Sequence, residues 1–409
     1  MSKSEHGEVS TPRLSIRAQR EIWKPYRDAA LGLRNYWYPV CFAADLADGR
    51  PKPLQVMGER LLLRRVGERI CALEDRCAHR RVSLSHRERV GAGRMECHTE
   101  DTITCWYHGF TYSFLSGKLV SNISWPTCPL VGELSIKTYE VRQAQGLVFV
   151  WMGDEEPGPL EHDVPPGFLD ADLVIAGRVR VVPANWRWGV ENGFDSTHVY
   201  LHRNSVLFNE SRTFIPLALV PKNLSGAGAN LITDGGRMGI SEDLATAYDP
   251  VFAAEVGEPG GERVQLAVNP RTDEGFVPSV PEISIWLPGM LGVRNFPVAG
   301  LTVYEHYVPL DERSHYYFQL LGKRCATPRE ADDFREEVRS KWESFLMDGF
   351  NGDDVIAREA MEEAYTRGGG WLEETLTAQD LCIYEWRNLV SRHARGIARA
   401  PVPGAGEKV

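Results

Sequence analysis

Short runs rich in β-forming residues dominate the sequence from Asn35 to about residue 150. Two of them, 61–66 and 70–73, flank a Gly67-Glu68 turn, as the two strands of a hairpin would. Further runs of this kind are 102–106, 111–114 and 146–151. This part of the sequence predicts a small all-β domain.

The pattern changes after residue 155. Acidic residues, proline and glycine at 154–159 are typical of a linker. Strand-like runs at 282–287, 301–308 and 315–321 follow, and then helical runs at 328–347, 354–365 and 371–395, separated by glycine-rich turns at 349–352 and 368–370. We therefore expect an α+β fold, in which an all-β domain precedes an α+β domain with an antiparallel sheet and covering helices.

Four segments are expected along the chain. They are an N-terminal arm and helix at 1–34 that packs on the second domain, a first domain at 35–155, a second domain at 156–399 and a disordered tail at 400–409.

The composition excludes several classes of protein. Hydrophobic residues make up 43% of the chain and charged residues 25%, as in globular proteins. The longest apolar run, 147–152, is far shorter than the roughly 20 residues that cross a bilayer, so we expect no membrane-spanning segment. The N-terminus lacks the apolar stretch of a secretory signal, and we expect a cytoplasmic protein with reduced cysteines.

The charge is unevenly distributed. The net charge of −10 argues against general binding to nucleic acid or anionic lipid. Between Arg64 and Arg94, however, nine arginines accompany four acidic residues, which gives this segment a net charge of +5. Such a basic segment is typical of a solvated surface, and it could also attract an acidic protein.

Cysteine and histidine are paired at two places in the predicted all-β domain. Cys77 and His79 form one pair, and Cys105 and His108 form the other. Two thiolates and two imidazoles would suit structural zinc. Zinc fingers, however, place both cysteines in one pair, whereas each pair here is mixed, which favours a two-iron, two-sulfur cluster of the Rieske type.

A second group of potential metal ligands lies in the helical run 185–202. Four polar residues recur there at helical intervals, so that one helix face would present them all: Glu191, Asp195, His198 and His202. Two histidines four residues apart can hold one metal, and a carboxylate from elsewhere would complete the facial triad of a non-haem iron(II) site. Asp353 and Asp354 are available at a predicted helix start, where acidic residues also act as caps.

These motifs resemble those of the Rieske non-haem iron ring-hydroxylating oxygenases. Cys-x-His-Arg followed by Cys-x2-His-Gly resembles the cluster signature, and Asp-x2-His-x3-His resembles the iron-binding helix, in the same order along the chain. Two features depart from the family pattern. Arg81 replaces a glycine, and residues 85–100, with Cys97-His98, separate the two pairs more widely, so we expect an extruded loop that leaves the ligands undisturbed.

The resemblance implies two metal centres in each chain. One is a Rieske 2Fe-2S cluster bound by Cys77, His79, Cys105 and His108, and the other is a mononuclear iron bound by His198, His202 and Asp354. Asp353 would then be the helix cap. Asp195 is placed to hydrogen-bond the ring of His198, and the resemblance implies that it also bridges electron transfer from His108 of a neighbouring subunit.

The implied function is that of the terminal oxygenase of a multicomponent dioxygenase that works as a homotrimer. A ferredoxin, itself reduced by an NAD(P)H-dependent reductase, would supply electrons. Further segments, at 35–40, 190–195, 283–289 and 357–360, resemble those of the angular dioxygenases within this family. The reaction that this resemblance implies is angular dioxygenation of a carbazole-like N-heteroaromatic compound, in which O2 adds to the ring carbon bonded to nitrogen and to its neighbour. The substrate N–H would meet the Gly193 carbonyl, between walls formed by Val199, Ile283, Leu291, Val293, Phe296 and Phe350.

Three other functions remain open from the sequence. The chain could be a Rieske dioxygenase, monooxygenase or demethylase for a different arene. It could also be an electron carrier with a Rieske cluster alone, or a structural zinc protein that serves as a binding module.

Overall fold

The computed structural model describes residues 21–222, 230–268, 272–279, 281–367 and 369–399. Residues 1–20, which belong to the predicted N-terminal arm and helix at 1–34, and the predicted tail at 400–409 lie outside this range. The chain forms two compact units. Among the described residues, the N-terminal unit comprises Leu31–Leu160, Val308–Glu312 and 398–399, and the C-terminal unit comprises 21–30, Glu161–Tyr307 and Arg313–Ile397.

The N-terminal unit contains three small antiparallel sheets with the strand orders β1-β10-β9, β2-β3-β4-β8 and β5-β6-β7. The predicted hairpin is β3–β4, and Gly67 at its turn has a φ of 55°, which glycine adopts at little cost. The strands are β1 (Tyr36–Phe42), β2 (Lys52–Val56), β3 (Glu59–Val66), β4 (Arg69–Glu74), β5 (Thr102–Thr104), β6 (Phe110–Ser113), β7 (Leu119–Asn122), β8 (Thr138–Tyr139), β9 (Val141–Ala144) and β10 (Leu147–Met152).

The C-terminal unit is built on a seven-stranded sheet with the order β11-β23-β22-β21-β20-β15-β14. The predicted strands at 282–287, 301–308 and 315–321 are β20, β22 and β23 of this sheet. Apart from the last two residues of β22, the strands of this unit are β11 (Leu173–Val182), β12 (Thr213–Phe214), β13 (Ala218–Pro221), β14 (Asn230–Asp234), β15 (Arg237–Asp243), β16 (Tyr248–Val251), β17 (Ala253–Val256), β18 (Val264–Ala267), β19 (Val277–Pro278), β20 (Glu282–Trp286), β21 (Met290–Arg294), β22 (Leu301–Pro309) and β23 (His315–Arg324).

Most helices belong to the C-terminal unit, and together with the sheet they confirm the predicted α+β class. The α-helices are α1 (Lys24–Asp28), α2 (His86–Arg89), α3 (Trp186–Phe194), α4 (Leu207–Ser211), α5 (Leu244–Ala247), α6 (Pro328–Glu337), α7 (Asn351–Arg367), α8 (Gly370–Glu373) and α9 (Leu381–His393). A π-helix spans Val338–Phe350, and short 3-10 helices span Ala43–Leu46, Leu160–Asp163, His198–His202, Thr272–Glu274 and Ala378–Asp380.

The helical stretch from α6 to α7 is continuous, so the predicted glycine-rich interruption at 349–352 is wrong. A glycine inside a helix costs only about 1 kcal/mol relative to alanine and does not by itself end the helix. Trp342, Leu346 and Met347 of the π-helix are buried in the core of the C-terminal unit, together with residues of α4 and α6. This burial holds the segment helical.

Candidate metal centres and adjoining cavity

Two loops of the N-terminal unit bear the paired cysteines and histidines. In each loop the cysteine carbonyl accepts a hydrogen bond from the N–H four residues later, at 2.9 Å for Cys77 and 3.0 Å for Cys105. Both cysteines are buried, whereas His79 is exposed and His108 is half-buried. The two imidazole rings are 4.7 Å apart between centroids, so the loops bring both pairs to one place.

The Cys77 and Cys105 side chains interact with each other. A hydrogen bond between them lowers the pKa of Cys77 to about 5 and raises the pKa of Cys105. The Tyr112 hydroxyl lies 3.3 Å from the Cys77 sulfur and helps to stabilise its thiolate. A buried thiolate at Cys77 and a second buried cysteine, beneath two imidazoles near the surface, fit a Rieske cluster.

The two departures from the family pattern have clear structures. Arg81 has a φ of 60°, in the left-handed region that favours glycine, and its guanidinium donates to Glu74 at 2.9 Å. Within the extra residues 85–100, α2 forms a single helical turn. The ring of His86 in this turn stacks on Trp106, which follows Cys105 in the sequence, with 6.0 Å between ring centroids.

In the C-terminal unit, His198, His202 and Asp354 come together. Their potential ligand atoms all lie within 4.8 Å of one another. Asp354 Oδ1 is 3.1 Å from His202 Nε2 and 3.4 Å from His198 Nε2. The two histidines lie on the 3-10 helix, and the aspartate lies in the first turn of α7.

The predicted single helix over 185–202 is wrong, because α3 ends at Phe194 and a separate 3-10 helix begins at His198. Asp195 between them is extended, with a ψ of 103°. Glu191 therefore does not share a face with the histidines. Its carboxylate pairs instead with the guanidinium of Arg387, at 2.9 and 3.0 Å, in a fully buried ion pair.

The break also changes how Asp195 meets His198. The expected hydrogen bond between the Asp195 carboxylate and the ring is not formed, and the Asp195 main-chain carbonyl contacts His198 Nδ1 instead. The carboxylate accepts hydrogen bonds from the Thr197 N–H and hydroxyl, both at 2.8 Å. The main chain thus orients the histidine, while the side chain of Asp195 shapes the turn.

The predicted capping role of Asp353 is also wrong, because the π-helix precedes α7 without a break and no helix start exists there. Asp353 Oδ2 instead lies 3.6 Å from Nδ1 of His202, the ring nitrogen that faces away from Asp354. Asp354, at 3% exposure, is the buried one of the two aspartates.

The electrostatics of this group suit a divalent cation. Burial alone would raise the pKa of Asp354, but His202, His198 and Arg358 hold it well below its usual value. Burial likewise would lower the pKa of His198, but Asp354 and Asp195 raise it to about 9. A buried carboxylate that favours a proton on His198 belongs to a set of donors that a metal ion can occupy in place of that proton.

A cavity of about 750 Å³, its open mouth included, adjoins the three residues, which form part of its lining. All seven residues implied for the substrate pocket border this cavity: Gly193, Val199, Ile283, Leu291, Val293, Phe296 and Phe350. Gly193 has no room for a side chain, since a Cβ there would lie 1.9 Å from the Tyr307 hydroxyl. The walls are mainly apolar, as a flat aromatic ligand requires.

The sequence analysis missed the polar residues behind Asp354. Asn192 Nδ2 donates to Asp354 Oδ1 at 3.3 Å, and Asn351 Nδ2 donates to Asp354 Oδ2 at 3.2 Å. Glu305 on β22 accepts from Asn351 at 3.0 Å and also borders the cavity. Glu305 lies in the middle of a strand that is buried on both faces, and a buried carboxylate needs polar partners. Its position in this apolar run could have indicated a buried polar cluster.

Comparisons with known proteins agree with this arrangement. Residues 36–139 match the Rieske 2Fe-2S domain, and residues 151–398 match the homotrimeric ring hydroxylases. The terminal oxygenase component of carbazole 1,9a-dioxygenase from Sphingomonas sp. is 43% identical over 387 residues, which cover 93% of this chain and 97% of the relative.

Solved structures extend the similarity to the fold. The terminal oxygenase of carbazole 1,9a-dioxygenase from Novosphingobium sp. KA1 is 42% identical with a TM-score of 0.86, over 94% of this chain and 99% of that one. The oxygenase in a reduced complex with ferredoxin, also from carbazole 1,9a-dioxygenase, is 40% identical with a TM-score of 0.84, over 94% and 95% of the two chains. Within the described ranges, none of the helices has the length and apolar character that crossing a bilayer requires.

Proposed function

The chain belongs to the homotrimeric ring hydroxylases that carry a Rieske domain, and from this premise we propose that it is the terminal oxygenase of a carbazole-type angular dioxygenase. The family has both a cluster domain and a catalytic domain, so the chain is neither an electron carrier with a cluster alone nor a structural zinc protein. The observation that carries the proposal is the position of His198, His202 and Asp354 beside a largely apolar cavity.

The two metal centres have different roles. We assign Cys77, His79, Cys105 and His108 to the Rieske cluster, and His198, His202 and Asp354 to the mononuclear iron. When bound, the iron supplies the chemistry that activates O2. The three residues would hold the iron at the edge of the cavity, where O2 and an arene could reach it.

The protein residues orient the substrate. The Gly193 carbonyl accepts the N–H of the heteroaromatic ring, and apolar side chains such as Ile283, Val293 and Phe350 clamp the flat rings. This orientation presents the ring carbon bonded to nitrogen and its neighbour, which receive the two atoms of O2. The resulting hemiaminal then opens to an aminobiphenyl diol.

Electrons come from a ferredoxin, which a NAD(P)H-dependent reductase reduces. The basic segment 64–94, on the same unit as the cluster ligands, suits an acidic ferredoxin. Asp195 and His198 both border an open groove on the C-terminal unit. His108 of a neighbouring subunit would reach them there, which makes the trimer part of the electron route. We place the enzyme in the cytoplasm, where this reductant is available.

The test is a reconstituted assay with ferredoxin, reductase, NAD(P)H and O2. Carbazole should give the ring-opened diol, identified by mass spectrometry and by incorporation of both atoms of labelled O2. A matched arene without the ring N–H, such as fluorene, tests the role of the Gly193 carbonyl. Turnover of other arenes alone, or insertion of a single oxygen atom into every substrate, would contradict angular dioxygenation.

A further inference from the structure

Glu305 is a buried carboxylate beside the proposed iron site, and the functions assigned so far leave it unused. Its side chain is 5% exposed and borders the cavity. It accepts hydrogen bonds from the hydroxyls of Tyr307 and Tyr317, the latter at 2.5 Å, and from Asn351 at 3.0 Å. A carboxylate surrounded by donors in this way has a fixed orientation.

Asn351 connects Glu305 to Asp354. Its amide nitrogen donates to Glu305 Oε1 at 3.0 Å and to Asp354 Oδ2 at 3.2 Å. Its amide oxygen accepts from Gln319 Nε2 at 3.1 Å. Both hydrogens of the amide are therefore directed at carboxylates, and the acceptor at Glu305 fixes which way the amide group points.

The two oxygens of Asp354 have different surroundings. Oδ1 faces His198 and His202, the proposed co-ligands, whereas Oδ2 is held by Asn351. Rotation of the carboxylate away from the histidines would break the hydrogen bond to Asn351. Two buried carboxylates near one amide also repel each other, and the Arg358 guanidinium, 3.6 Å from Glu305, offsets that repulsion.

We propose that Glu305 is a positioning residue that acts through Asn351 to hold the Asp354 carboxylate in its metal-binding orientation. The inference rests on the proposed ligand set. Partners of this kind behind a ligand change metal affinity by roughly 10- to 100-fold. A merely structural Glu305 would instead affect the stability of the whole unit without a selective effect on iron.

The experiment measures Fe(II) affinity in Glu305→Gln. Protein that keeps its cluster but has been depleted of mononuclear iron is titrated with Fe(II), and occupancy is read from the EPR signal of the nitric oxide adduct. We expect affinity to fall by roughly 10- to 100-fold with an unchanged cluster spectrum. Glu242→Gln is the matched control, since Glu242 is 1% exposed, accepts from Tyr248 and Cys382 and has no hydrogen bond to Asn351, and it should bind iron like the wild type.

A double-mutant cycle tests the route. Asn351→Ala alone should weaken Fe(II) binding, and adding Glu305→Gln should cause little further loss, because both changes remove the same constraint. Additive losses would overturn the route through Asn351. If Glu305→Gln does not fold, Tyr317→Phe removes one donor to Glu305 and should give a smaller loss of affinity.

Asp354→Ala separates this inference from the proposed function. If Asp354→Ala retains mononuclear iron, the ligand set itself is wrong. If it loses iron while Glu305→Gln and Tyr317→Phe both bind Fe(II) with wild-type affinity, the ligand set stands and the positioning role of Glu305 is overturned.

Discussion

The Nε2 atom of His202 lies 3.1 Å from Oδ1 of Asp354, although 152 residues separate the two in the sequence. One belongs to a short 3-10 helix and the other to a long helix that continues a π-helix. Neither segment supplies all three proposed ligands, so neither could form the metal site alone. The proposed iron site is therefore a product of the tertiary fold of the C-terminal unit.

Asp354→Ala should abolish the mononuclear iron and leave the cluster absorption intact, because one of three ligands is lost and its hydrogen bonds lie within the C-terminal unit. Metal analysis and visible spectra measure the two effects separately. Asp353→Ala is the neighbouring control. Since Asp353 lies beside His202 Nδ1 at 3.6 Å, that variant should retain iron with only a modest loss of affinity. Iron loss in Asp353→Ala but not in Asp354→Ala would identify Asp353 as the ligand in place of Asp354.

Cys105→Ser should remove the visible absorption of the Rieske cluster and all turnover, because a serine hydroxyl does not replace the buried Cys105 sulfur as a ligand of the cluster iron. Cys97→Ser tests specificity, since Cys97 is a half-buried cysteine of the same unit that packs on its core. That variant should keep its colour and activity. A coloured, active Cys105→Ser protein would contradict the assignment of Cys105 as a cluster ligand.

Arg94→Glu should raise the ferredoxin concentration that gives half-maximal turnover, because it reverses one charge of the basic segment 64–94. The same quantity should rise with salt for the wild type, since charges farther apart than about 8 Å are screened at physiological ionic strength. Arg329→Glu, a charge reversal at a very exposed position of α6, is the control. If both variants reach half-maximal turnover at the same ferredoxin concentration, and this concentration does not change with salt, the arginines form only a solvated surface.

Asp195→Asn should retain both metals yet block electron transfer between them. Asparagine keeps the side-chain oxygen that accepts from Thr197, and the main-chain carbonyl that contacts His198 is unchanged. In a single turnover with substrate and O2, the pre-reduced cluster should stay reduced and little product should form. Normal cluster oxidation with a normal product yield would remove Asp195 from the electron route and, with it, the need for a trimer.

Residue spacing identified the groups that lie close in sequence. The pairs Cys77–His79 and Cys105–His108 each lie in one tight loop, so a few residues define each pair, and the hairpin around Gly67 is equally local. The residues of β20, β22 and β23 were also recognisable, because buried strands have a strong apolar pattern. Local information of this kind suffices for elements and for ligand pairs.

The sequence could not predict where the chain changes direction. Gly193, Asp195 and Ser196 are poor helix formers, but such residues also occur inside helices, so they do not fix the residue at which α3 ends. The extended Asp195 places the histidines on a different face from Glu191, which pairs with Arg387. The glycines at 349 and 352 predicted a break that core packing overrides. The role of Asn351 likewise depends on β22, which is distant in sequence, so only the folded chain brings Glu305 beside it.

The cavity has two walls of different construction. One consists of neighbouring strands of the large sheet, where Ile283 pairs with Val293 and Val293 with Val303. The other is formed by short elements and connecting segments that supply residues such as Ile215 and Leu219. Connecting segments tolerate substitution and changes in length better than a sheet does. Substitutions in the wall formed by connecting segments can therefore change which arenes related enzymes accept, while the reaction with O2 stays the same.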